Sequence, residues 1–136
     1  MEKKQIEEMI DLAIRQLDYS YVPYSHFHVG AALLAKNGTY YTGCNIENAA
    51  YPVSCCAERV AIFKAIADGE RDFLEMAVAA DTKRPVPPFG SCRQVMAEFF
   101  DQKLNIHLTN LNKEIKTISM ENLLPFSFQP EDLFSN

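Results

Sequence analysis

The sequence predicts an α/β fold, one mixed sheet of about five strands covered by helices, and three features carry that prediction. An amphipathic stripe opens the chain, an Asn-Gly pair separates two β-prone runs, and further helical patterns alternate with short apolar segments. Ile6, Met9, Ile10, Ala13, Ile14 and Leu17 recur at three- and four-residue steps. That spacing describes a helix laying one stripe on a core and ending before Pro23. Phe27 to Lys36 is mostly apolar, and Thr39 to Thr42 follows Asn37-Gly38. Both turn residues tolerate positive φ, so the two runs are expected to pair antiparallel.

Gly43 to Pro52 is polar and reads as a loop over the sheet edge, a candidate substrate wall. From Cys56 to Ala67 a helical pattern carries Ala57, Ala61 and Ala65 on a small-residue side, which predicts close packing, and Gly69 is the expected stop. Phe73 to Ala80 is rich in Ala and Val, as suits a central strand shielded on both faces. Pro85, Pro87 and Pro88 stiffen the next connection. Ser91 is expected to cap a helix starting at Cys92, with Gln94 completing a capping box. Leu104 to Thr109 and Glu114 to Ser119 read as two more strands. After Met120 to Leu124, Phe126 and Phe128 give the tail enough aromatic surface to pack on its own body or on a neighbour. One domain spanning residues 1–136 accounts for every apolar segment.

Composition narrows the function classes. Thirteen basic against eighteen acidic residues leave a net charge of -5, which offers no positive field to a nucleic-acid backbone or an anionic membrane. No apolar run approaches the roughly 20 residues that span a bilayer, and the N-terminus lacks a secretory pattern. The expectation is a cytoplasmic protein with neither a nucleic-acid nor a membrane partner. With 48% apolar residues the chain needs no disulfide staples, so Cys44, Cys55, Cys56 and Cys92 are judged by position.

Cys56 and Cys92 each stand at the start of a helical pattern, where a thiolate is stabilised. Glu58 lies two residues after Cys56, close enough to move a proton to or from a metal-bound water. Taken singly, each cysteine also reads as a small buried hydrophobe, and Cys44 keeps that reading. Asn45 and Glu47 could close their loop through side-chain to backbone bonds. His26, His28 and His107 have no metal-like spacing.

Several segments together are similar to the small homotetrameric cytidine deaminases, almost from end to end. They are Tyr24-Ser25-x-Phe27-x-Val29-Gly30-Ala31-Ala32, Gly43-Cys44-Asn45-Ile46-Glu47-Asn48-Ala49, Cys56-Ala57-Glu58-Arg59, Cys92-Arg93-Gln94-Val95, Leu123-Leu124-Pro125 and Pro130-Glu131-Asp132-Leu133. The resemblance implies a three-layer cytidine-deaminase-like fold and hydrolysis of cytidine and deoxycytidine to uridine and deoxyuridine, with release of ammonia. In that family zinc held by three Cys thiolates activates water toward C4 of the base, and a Glu shuttles protons. Carried over, Cys56 and Cys92 would be zinc ligands and Glu58 the shuttle. Phe27 would lie beside the base, Asn45 and Glu47 would bind the ribose 3′-hydroxyl, Ala57 would offer a backbone group to the ring, and Arg59 would partly neutralise the thiolates. The resemblance also implies a homotetramer whose active sites are completed across subunits.

One position departs from the pattern. The family's Pro-Cys-x-x-Cys reads Pro88-Phe89-Gly90-Ser91-Cys92, and Phe cannot coordinate zinc. Three readings stay open at this point: Cys55 replaces the lost ligand through a distorted helix start, water fills the third place of a labile zinc site, or the chain binds pyrimidine nucleosides without metal. Deamination of another cytosine nucleoside is a further alternative.

Overall fold

The computed structural model describes residues 2–134. Helix α1 (Lys3–Arg15) runs into a 3-10 turn at Gln16–Tyr19, and strands β1 (Val29–Ala35) and β2 (Tyr40–Cys44) form the hairpin. Helix α2 (Ala57–Ala67), strand β3 (Phe73–Ala80), helix α3 (Gly90–Phe99) and strands β4 (Asn105–Thr109) and β5 (Ile115–Ser119) follow. The short helices α4 (Met120–Leu123) and α5 (Pro130–Phe134) come last. The sheet order is β2-β1-β3-β4-β5, with β3 and β4 parallel and the other neighbours antiparallel. Five mixed strands and a central β3 match the sequence expectation.

The sheet buries both faces, which gives three layers. On one side Met9, Ile10 and Ala13 of α1 pack against Ala32, Leu34 and Ala77. On the other, Ala61, Ile62 and Met96 from α2 and α3 meet Leu33, Val78 and Ile106. The period-two alternation of β1 thus supplies each core in turn.

The hairpin and the end of α2 show how local chemistry sets the chain path. Only Gly38 takes a positive φ, +93°, while Asn37 stays outside that region and its Oδ1 accepts from Thr39 N. Gly38 N donates to Ala35 O and Ala35 N to Thr39 O, so the turn is a three-residue loop with a glycine bulge rather than the two-residue form. Gly69 ends α2 in the left-handed region. Glu70 N donates to Ala65 O and Gly69 N to Ile66 O, the paired bonds of a Schellman cap.

Helix α2 lies very close to β2. A Cβ at Gly43 would stand 2.4 Å from Ala57 O and 2.7 Å from Ala61 N, both backbone atoms of the helix. Tyr41 Oη donates to Asp68 Oδ2 at 2.5 Å and Lys64 Nζ to Thr42 O at 2.6 Å, tying the same pair of elements. The alanine side of α2 is therefore the buried one, while Phe63 remains half exposed, so the helix is less enclosed than its composition suggests. Gly43→Ala is expected to cost about 3 kcal/mol in urea unfolding, because the methyl group must displace helix backbone. An unchanged unfolding midpoint would show that α2 yields freely.

The expectation at the start of α3 needs correction. Ser91 does not cap α3: the helix begins at Gly90, with Phe89 as the N-cap in extended conformation and no side-chain cap bond. Arg93 N donates to Phe89 O in the first helical bond, which places Ser91 inside the first turn where its hydroxyl has no capping position. Of the two placements expected for the tail aromatics, Phe126 and Phe128 do not take packing on the chain's own body. Phe126 stands clear of the chain at φ +53° and Phe128 is exposed, although Gln94 Nε2 donates to Phe128 O.

Candidate active site

A cavity of about 570 Å³ lies where β3 ends beside the start of β1, and Val29, Val78 and Ala80 form part of its wall. The N-termini of α2 and α3 point their first residues toward it, and the loop after β2 closes one side. Phe27, Asn45, Glu47, Cys55, Cys56, Ala57, Glu58, Arg59 and Phe89 all line it. The loop read as a substrate wall is a wall of this cavity from Asn45 onward, since Gly43 and Cys44 belong to β2.

Glu58 is in the first turn of α2 and is buried. Burial pushes its carboxyl up to about 7, with the nearby Cys56 adding to the rise and Arg59 opposing it. Cys56 is the N-cap of α2, and Cys92 sits fully buried in the first turn of α3. The neighbouring Cys92, together with the Arg59 guanidinium, whose Nη2 lies 3.3 Å from Cys56 Sγ, holds the Cys56 thiol below its ordinary value. Cys56 and burial push the Cys92 thiol up.

Asn45 and Glu47 hold the loop together. Asn45 Nδ2 donates to Phe27 O at 2.7 Å and its Oδ1 accepts from Val29 N at 3.0 Å. Glu47 Oε1 accepts from Tyr24 N and Ser25 N, each at 3.1 Å, and Oε2 accepts from Ser25 Oγ. The Ser25 hydroxyl is the main reason the Glu47 carboxyl lies below its usual range. Each side chain retains capacity: Asn45 has a second amide hydrogen, and Glu47 has lone pairs left on a carboxylate that can accept about four bonds.

The cysteine and glutamate ladder at the helix starts, the loop and the cavity coincide with a known family pattern. A family model described as "Cytidine and deoxycytidylate deaminase zinc-binding region" matches residues 3–108. The chain belongs to the cytidine and deoxycytidylate deaminase family. It is 52% identical over 128 residues to the cytidine deaminase of Sporosarcina psychrophila, with 94% of each chain covered. The cytidine deaminase of Halalkalibacterium halodurans is also 52% identical, over 125 residues covering 92% of this chain and 95% of that one. The crystal structure of cytidine deaminase from Burkholderia pseudomallei aligns with TM-score 0.88 and 41% identity, across 94% of this chain and all of that one. The three-layer architecture is thus that of the cytidine deaminases, and the chain is a cytidine-deaminase-type hydrolase catalysing a deamination-type reaction.

Family membership brings the question of zinc. A catalytic zinc takes three protein ligands and a water. Here Cys56 and Cys92 are together, but among the described residues no group of three His, Cys, Asp or Glu side chains is placed to hold a metal ion. Phe89, in the third ligand's position, is 68% exposed and offers no donor atom. Arg59 Nε is buried without a hydrogen-bond partner, so the site has fewer acceptors than the guanidinium has donors. The donor set does not fit a three-thiolate zinc.

Cys55 lines the same cavity. Its backbone is pinned in an extended bridge, with Cys55 N donating to Ile46 O at 2.8 Å and accepting at its own O from Ile46 N at 2.9 Å. Among the described residues, no three-donor set includes Cys55. Burial raises its thiol. Cys44 is a buried core thiol, and burial raises it too. Tyr51 and Pro52 line the cavity as part of the loop read as a substrate wall, whereas sequence reasoning gave no site role to Val86 or Pro87, which line it too. The proline cluster signals a stiff connection, and nothing in its composition says that it faces a cavity. Among the described residues, no helix is long and apolar enough to cross a membrane.

Proposed function

We propose that the chain hydrolyses the amino group from C4 of cytidine and deoxycytidine, forming uridine or deoxyuridine and ammonia. The observation that carries this reading is Glu58, a buried cavity-wall carboxyl raised to about 7 and so divided between its two forms near neutral pH. In the proposed reaction a water oxygen adds to C4 as its proton passes to Glu58 and on to N3. The remaining hydroxyl proton then passes through Glu58 to the amino nitrogen, which leaves as ammonia while the C4 carbonyl forms.

Phe27 is assigned to the face of the base and the Ala57 backbone to the ring. The unused amide hydrogen of Asn45 and the remaining lone pairs of Glu47 are assigned to the ribose 3′-hydroxyl. Arg59 offsets the charge of the thiol pair. Zinc enters no step of this scheme, because Cys56 and Cys92 fall one donor short. A homotetramer with shared active sites, in the cytoplasm, belongs to the same reading, and the unpacked Phe126 and Phe128 offer a surface for subunit contact.

Phe89 favours a second reading, pyrimidine-nucleoside binding without turnover. Calorimetric titration with cytidine beside an ammonia and uridine assay separates the two. Ammonia and uridine appearing in equal amounts support hydrolysis. Saturable binding with no ammonia over long incubation overturns hydrolysis in favour of the binder, and the absence of both results sinks the two together.

A further inference from the structure

Ser25 lines the cavity two residues before Phe27, and its hydroxyl makes two bonds there. It donates to Glu47 Oε2 and accepts from Phe27 N at 3.1 Å. A hydroxyl has one proton to give, and here Glu47 takes it, so the side chain has none left for a ligand. Any effect of Ser25 on a bound molecule therefore passes through the carboxylate. His26, between Ser25 and Phe27, takes φ +58°, the left-handed region that residues other than glycine seldom enter. Such a conformation persists where its surroundings over-determine it, and the bonds of Ser25 to Glu47 and Phe27 hold both sides of His26.

The two oxygens of Glu47 are held in different ways. Oε1 accepts from Tyr24 N and Ser25 N, each at 3.1 Å, and these backbone bonds survive a change of the Ser25 side chain. Oε2 is held by the Ser25 hydroxyl. That hydroxyl thus fixes the rotation of the carboxylate about its anchored oxygen, and an acceptor already aimed loses less freedom when a ligand binds.

We propose that Ser25 is a positioning residue for sugar recognition, holding Glu47 Oε2 toward the 3′-hydroxyl of a pyrimidine nucleoside. This rests on the reading of Asn45 and Glu47 as the side chains that bind that hydroxyl.

Uridine and 3′-deoxyuridine differ only at the 3′ position and carry no amino group to lose. Calorimetric titration of both into the parent, Ser25→Ala and Ser25→Thr tests the proposal. The parent is expected to prefer uridine, and Ser25→Ala to lower that preference by about tenfold, the scale of a hydrogen bond to a charged group. Ser25→Thr keeps the hydroxyl and is expected to retain the preference within about twofold. A loss common to both ligands cancels in the ratio, so a loop merely loosened by the substitution leaves the preference unchanged. An unchanged preference in Ser25→Ala, or an equal fall in Ser25→Thr, overturns the positioning role and leaves the reading of Asn45 and Glu47 standing. A parent that binds the two ligands alike, or binds neither, overturns that reading and the role of Ser25 with it.

Discussion

Phe89→Cys is expected to turn a chain without stoichiometric zinc into one that holds one zinc per chain, and to raise cytidine turnover about 10²-fold or more. Position 89 is the N-cap of α3 and Cys92 is the third residue of its first turn. An N-cap side chain and the third helical residue are neighbours in space, the relation used by a capping box. A thiol at 89 would therefore join the Cys56–Cys92 pair and complete a three-thiolate set. A zinc held this way supplies Lewis-acid stabilisation worth several kcal/mol, and each 1.36 kcal/mol is about tenfold in rate. Metal analysis and ammonia release, run beside the parent and Cys55→Ser, read the result. A full equivalent of zinc in the parent, lost in Cys55→Ser, would instead make Cys55 the third ligand.

Glu58→Gln removes the proton shuttle while keeping the volume of a buried side chain. Turnover is expected to fall by about 10²–10⁴, the usual share of a positioned acid–base group, in both the parent and the Phe89→Cys background. Cytidine affinity should change only a few-fold, because the amide fills the same space. The pH profile gives a separate readout. The first transfer requires the carboxylate, so activity should fall as pH drops below about 7, and that acid limb should vanish from whatever activity the Gln variant retains. Equal losses of binding and turnover, or an unchanged acid limb, would remove Glu58 from the assigned role.

Much of this was legible because local and tertiary demands agree. The antiparallel pairing around Asn37-Gly38, though closed by a three-residue loop, the Gly69 stop and the Ala-Val composition of β3 each follow a local preference that the fold satisfies. Ser91 and Gln94 failed as a guide to α3 because the capping pattern is local, while the helix start is fixed from outside the pattern. Arg93 reaches back to Pro88 O with Nε at 2.8 Å and across to Leu123 O with Nη1 at 3.2 Å, contacts that anchor the segment from both sides. Glu75 and His107 were illegible for a related reason. They lie in adjacent strands, and their 3.0 Å contact, completed by Thr117 Oγ1 at 2.8 Å from His107 Nδ1, depends on a pairing register that neither segment encodes alone. The candidate residues at the helix starts were readable as a set, and the fold brings Cys56, Glu58 and Arg59 to one cavity. The departure at Phe89 was readable too, but where Cys55 stands relative to Cys56 and Cys92 was not, because it depends on how two separate helix starts meet in the fold.

Asn45 limits how any binding defect in this cavity can be interpreted. Its one amide group joins Phe27 O to Val29 N, so it fixes the chain that carries the residue assigned to the base while itself being assigned to the sugar. Truncating it would perturb both ends of a nucleoside at once, and a single affinity loss could not be divided between them. Apportioning that loss requires a double-mutant cycle with Phe27, read against cytidine and free cytosine in parallel.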